Sequence, residues 1–249
     1  MKQFKEILLG VVVLCIIAWL ITFVYRHEAA KQNKELAKRI MELSPRGGPP
    51  ETIDGLRQAI ALYEDQIERN VREGAQTGVY WKILGIRLAD RKMHNDALEA
   101  FEKAIYFNGE DPTLFYLTGL SAGFVAKDKI GFSANDEREK ARYFTLSENS
   151  YKRALELDVT YTKAMYGLAV LYVFEFGRPQ DGIVQLERYL QIQPSDVQAM
   201  FVLARAYFDT EQYSQAVEVY DRIAARTKNK EIKNRALENR EIIQGIIYG

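Results

Sequence analysis

A short pattern recurs from residue 97 onward: a small residue, a large one four positions later, and a further apolar or small residue three beyond that. It is Ala97, Phe101 and Ala104 in "ALEAFEKAI", then Ser147, Tyr151 and Ala154, then Gly182, Leu186 and Tyr189, then Ala216, Tyr220 and Ile223. Positions i, i+4 and i+7 share one face of a helix. Small residues on such a face let another helix pass very close, so the pattern demands helices packed in close pairs. Ahead of each copy lies a second helical signature. It reads Trp81, Leu84, Gly85 and Leu88; Phe115, Thr118, Gly119 and Ala122; Lys163, Tyr166, Gly167 and Val170; and Met200, Leu203, Ala204 and Tyr207.

Spacing ties the copies together. Gly85 to Ala97 and Ala204 to Ala216 are both 12 residues, and Trp81 to Phe115 is 34. This resembles the tetratricopeptide repeat (TPR), W-x2-L-G-x2-Y followed by A-x3-F-x2-A and P in 34 residues. The likeness covers about residues 78–228, with 16 extra residues between Gly119 and Ser147 and three between Gly167 and Gly182. It implies an all-α solenoid of antiparallel helix pairs, about four repeats (78–111, 112–159, 160–195, 196–229) between an N-terminal helix over 51–77 and a C-terminal capping helix over 230–249. In that cap Ile232, Ala236, Ile243 and Ile247 share one face, with charges elsewhere. The insertion reads as a loop over 127–134 and an N-cap at Asn135, opening a long second helix to about Leu157. Insertions in repeat arrays map to loops on one face, often a binding face; an elaborated hairpin that only stabilises the array is the other reading.

Function, by this resemblance, resides on the inward side of the first helix of each pair. The corresponding residues here include Lys82 and Ile86; Tyr116, Leu120 and Phe124; Tyr161, Leu168 and Tyr172; and Phe201, Arg205 and Phe208. Some TPR proteins hold a C-terminal carboxylate there with Lys and Asn. Ile86 follows Lys82 at the Asn position, so that clamp is absent, and the expected surface is an aromatic trough with a lone Arg205. Such a trough suits an apolar or amphipathic segment of a partner protein. Tyr116, Tyr172 and Phe201 are the expected contacts.

At the amino end, Ile7 to Tyr25 contains no charge. As a helix it would run roughly 28 Å, enough to cross a hydrocarbon core. No small-x-small cleavage site lies just beyond it, so the expectation is an uncleaved transmembrane anchor within residues 1–27. A juxtamembrane helix and a "SPRGGPP" linker follow over 28–50. Lys2 and Lys5 favour a C-terminal domain outside the cytoplasm, on the periplasmic side of a bacterial inner membrane. Arg26, Lys31, Lys34, Lys38 and Arg39 favour the opposite orientation.

Lys plus Arg equals Asp plus Glu at 34 each, so no global field draws nucleic acid or anionic lipid. Cys15 is the lone cysteine, and the two histidines, His27 and His94, lie far apart. His94 is expected as an exposed polar residue in the turn of repeat one. No phosphate-binding loop, HExxH or GxSxG motif occurs. The reading is therefore a non-enzymatic scaffold with no cofactor, no metal and no small-molecule substrate, binding protein or peptide partners, in a bacterial cell-envelope complex. Two alternatives stay open: a structural subunit docking through its convex face or the 126–146 insertion, and a cytosol-facing receptor for targeting sequences.

Overall fold

A computed structural model describes residues 52–129 and 133–248, Pro50, and before it Phe23, His27, Lys31, Lys34, Glu35, 37–39, Met41 and Glu42. The chain divides into two compact units, Met1–Glu73 and Gly74–Gly249. The expected span Ile7–Tyr25 lies, apart from Phe23, outside the described residues. Among the described residues no helix is long and apolar enough to cross a membrane.

Nine long helices follow one another among the described residues from Ile53: α1 Ile53–Asp90, α2 His94–Phe107, α3 Pro112–Asp128, α4 Ala134–Leu157, α5 Thr162–Phe174, α6 Pro179–Ile192, α7 Val197–Asp209, α8 Tyr213–Arg226 and α9 Lys230–Tyr248. The N-terminal helix expected over 51–77 and the first helix of repeat one are thus continuous. Nothing in "NVREGAQTGVYW" stops it, because Gly74 and Gly78 are tolerated inside a helix at about 1 kcal/mol each. In the first unit Thr52 opens α1, its hydroxyl accepting the Gly55 N–H at 3.0 Å.

In the second unit the pairs pack as their small residues dictate. Ala97, Phe101 and Ala104 are wholly buried, and the Phe101 ring fills the hollow left by Gly85. Tyr151 occupies the same place against Gly119, where Ser147 also donates its hydroxyl to the Gly119 carbonyl at 2.7 Å. Burial, with Tyr116 nearby, pushes the Tyr151 phenol well above its ordinary value, so the ring stays neutral. Ala236 and Ile243 of α9 close the last pair. Ile247 is exposed, however, and Ile242, Ile246 and Tyr248 make the outer side of this cap partly apolar rather than charged.

Repeat three corrects the sequence register. Ala164, Met165, Leu168, Ala169, Leu171 and Tyr172 are buried, as are Ala199, Met200, Leu203, Ala204, Ala206 and Tyr207, each 35 positions later. The residue equivalent to Gly119 and Ala204 is therefore Ala169, not Gly167. Gly182 of α6 sits against the Ala169 carbonyl, as Ser147 sits against that of Gly119. Gly167 faces the other way, toward the Tyr151 ring of the preceding pair.

The insertion begins later and caps earlier than expected. Helix α3 continues to Asp128, and Ser133 rather than Asn135 caps α4. The Ser133 hydroxyl accepts the Asp136 N–H, and the Asp136 carboxylate accepts the Ser133 N–H, a reciprocal capping box. The lengthened α4 supports the lengthened turn after α5. Phe144 meets Phe176 edge-on, while Glu148 accepts from Tyr172 and Arg178 and pairs with Lys152. Partial burial works against the Glu148 charge, yet the Lys152 and Tyr172 hydrogen bonds and the Arg178 charge hold its carboxyl below the ordinary value.

Among the described residues three intrapair turns use a left-handed residue, five positions before the small residue of the second helix: Lys92 (φ 62°), Gly177 (φ 58°) and Glu211 (φ 58°). Only Gly177 is suited to it. Lys92→Gly and Glu211→Gly should each raise stability by about 0.5–1 kcal/mol, the left-handed penalty of an L-residue less the unfolded-state freedom glycine adds. Urea midpoints test this; a lowered midpoint would show that side-chain contacts outweigh the strain.

Candidate functional site

The new register redefines the inward face. The α5 equivalents of Thr113, Tyr116 and Leu120 are Lys163, Tyr166 and Val170. Leu168 and Tyr172, expected in the trough, are only 2% and 4% exposed and belong to the core. The Tyr172 hydroxyl is held by Glu148, and the Arg178 guanidinium lies over its ring at 4.5 Å. Tyr161 stands just ahead of α5, its ring 5.8 Å from that of Tyr116.

A cleft of about 300 Å³ opens between α3 and α5. Tyr116, Leu120, Gly123 and Phe124 form one wall, and Tyr166, Gly167 and Val170 the other. Phe144, Ser147 and Tyr151 of α4 lie beneath. Three of the expected residues, Tyr116, Leu120 and Phe124, are therefore brought together here. Phe124 is braced from behind by His94, whose ring stacks on it at 4.5 Å. His94 is accordingly the partly buried first residue of α2 rather than an exposed turn residue, and its buried Nδ1 has no hydrogen-bond partner among the described residues.

Two glycines shape this cleft in different ways. A Cβ on Gly167 would stand 2.7 Å from Tyr151 Cζ, so that position is needed for packing. A Cβ on Gly123 would meet, among the described residues, only Ser147 Oγ, at 3.6 Å, so its missing side chain leaves the cleft open. Charge is uneven along the walls. Lys127 and Glu175 pair across it at 2.8 Å, whereas Lys163 has no carboxylate partner among the described residues and lies 5.9 Å from the Tyr116 ring centre. Burial first, then proximity to Tyr161, raises the Tyr116 phenol above its ordinary value.

The remaining expected residues do not join the cleft. Lys82 is tied to Asp111, the cap of α3, at 2.6 Å, and Ile86 packs partly buried on the Phe101 cluster. Despite its partial burial, the Lys82 and Thr113 hydrogen bonds keep Asp111 below the ordinary carboxylate value. Arg205 is not alone, because Asp209 accepts from its Nε through both oxygens at 2.8 and 2.9 Å. Phe201 meets Tyr220 edge-on under the Arg235 guanidinium, and Phe208 packs against Tyr213. Sequence reading missed Lys163, Tyr166 and Val170 as wall residues. The signal was present: "KAMY" from Lys163 and "QAMF" from Gln198 align without a gap, 35 residues apart.

Residues 173–235 match the family model described as tetratricopeptide repeat. Anaphase-promoting complex subunit 3 of Schizosaccharomyces pombe is 28% identical over 142 residues, 57% of this chain but 19% of that protein, so less than a fifth of the relative's length is spanned. A crystal structure of YrrB, described as a TPR protein with an unusual peptide-binding site, superposes with a TM-score of 0.52 at 19% identity, covering 85% of this chain and 97% of that one. TTC0263, a TPR protein of Thermus thermophilus, gives 0.52 at 16% identity, covering 72% and 88%. MamA from Desulfovibrio magneticus RS-1 gives 0.51 at 14%, covering 68% and 94%. The helix pairs of this chain have the tetratricopeptide-repeat fold, and its residues 173–235 carry that family's signature.

Proposed function

We propose that the chain is a non-catalytic interaction scaffold that receives an apolar or amphipathic segment of a partner polypeptide in the cleft between α3 and α5. The supporting observation is the cleft itself. Tyr116, Leu120, Tyr166 and Val170 face open space of about 300 Å³, kept clear by Gly123. Aromatic and aliphatic walls with few polar groups fit apolar anchor side chains, which carry most of the energy in such contacts. The uncharged run Ile7–Tyr25 supports attachment to a membrane, and the short basic tail before it supports a domain outside the cytoplasm, serving an envelope assembly. A compartment-sensitive reporter fused to the C-terminus tests the orientation.

Gly123→Leu tests the cleft. The new side chain would occupy the cleft, while replacing a helix-interior glycine favours folding by up to about 1 kcal/mol. A photocrosslinking residue at Val170 is expected to capture a partner in cells expressing the parent chain and to lose it, by about tenfold or more, when Gly123→Leu is added. The melting temperature should not fall. Undiminished capture by a well-folded Gly123→Leu chain would overturn the proposal.

A further inference from the structure

The first unit carries an exposed apolar face. Ile53, Leu56, Ile60, Tyr63, Ile67 and Val71 of α1 are each between 40% and 70% exposed. At 100° per residue they fall within an arc of about 80°, a narrow seam rather than scattered surface residues. Ile53, Ile60 and Ile67 repeat every seven positions, with Leu56 and Tyr63 between them, which is the alternation of a two-helix coiled-coil contact.

We propose that this seam pairs with the same seam of a second copy, in antiparallel orientation. Area is the first argument. The six side chains present on the order of 600 Å² of surface, so self-pairing would bury roughly 1,200 Å², the lower bound of stable specific interfaces. Flanking residues give the orientation. On one side Ala59 is only 7% exposed and Gln66 is half-buried, so that flank is already covered within the chain. The other flank carries Arg57 and Glu64, both exposed. A two-fold axis between Ile60 and Tyr63 sets Arg57 of each copy beside Glu64 of the other, about 3 Å apart along the axis. Arg57 already pairs with Asp54 at 3.6 Å, but that contact is highly exposed and exchanges at little cost.

The test uses the full chain in mild detergent, with mass measured by light scattering during size exclusion. A dimer is expected. Ile60→Lys with Ile67→Lys should raise its dissociation constant by about a hundredfold or more without loss of helix signal, since both side chains are exposed. Arg57→Glu alone should weaken the dimer several-fold, and adding Glu64→Arg should restore it. A monomeric parent chain, or a dimer indifferent to the lysines, would overturn the proposal. A dimer lost with the lysines but not rescued by the charge exchange would overturn the antiparallel arrangement. Gly123→Leu should leave the dimer intact, which separates this surface from the cleft.

Discussion

Tyr151→Ala is expected to lower the unfolding free energy by about 3–5 kcal/mol, the range for removing a large buried ring. Its effect should also be felt in two pairs at once. The ring stands 2.8 Å from where a Cβ on Gly119 would lie and 2.7 Å from the corresponding point on Gly167, so one side chain fills hollows in both α3 and α5. In a solenoid each pair is stabilised through its neighbours, and weakening one junction reduces the coupling across it. Denaturant unfolding followed by probes placed in α2 and in α8 should therefore give two separated midpoints for the variant. A loss under about 1.5 kcal/mol with coincident midpoints would mean that Tyr116, 6.1 Å away, moves in to refill the space.

The second large effect compares one substitution at two glycines. Gly85→Ala would put a Cβ 2.4 Å from Cε1 and 2.6 Å from Cδ1 of Phe101, a fully buried ring. Relief requires moving that ring, so the expected cost is about 1–3 kcal/mol despite the helix propensity alanine brings. Gly123→Ala meets, among the described residues, only Ser147 Oγ, at 3.6 Å, and should stabilise by up to about 1 kcal/mol. The same chemical change on the first helix of two successive repeats thus has opposite signs. Urea unfolding of both variants checks this. Two stabilising results would show that Phe101 can shift without strain.

The fold was legible because its cause is local. Ala97, Phe101 and Ala104 announce close helix packing in any context, and twelve-residue intervals announce its repetition. The site was less legible, and the reason lies in Gly167. A glycine in the middle of a first helix looks like the hollow of Gly85 and Gly119, and aligning on it moved the inward face by two residues, placing Leu168 and Tyr172 where Val170 and Phe174 stand. In the fold either glycine or alanine can make the hollow, and Ala169 does so. Gly167 serves the opposite side of the helix, where the ring of Tyr151 needs room. Residue type alone does not separate these demands. Ion pairs were equally opaque: Arg205 read as a lone cation and Lys82 as a groove residue until Asp209 and Asp111 were placed beside them. In sequence the seam of α1 reads like any apolar helix face, and its exposure is a property of three dimensions.

The contact between Phe144 and Phe176 has a consequence for exchanging parts of this chain. Repeat arrays are commonly treated as beads that can be swapped singly. Here the long insertion of the second repeat and the one extra turn residue of the third are two halves of one joint, with Glu148 fastening Tyr172 and Arg178 across it. Replacing the second repeat by a 34-residue standard copy would remove the part of α4 that holds the next turn. Residues 112–192 therefore form the smallest block that can be transplanted into another array with its packing intact.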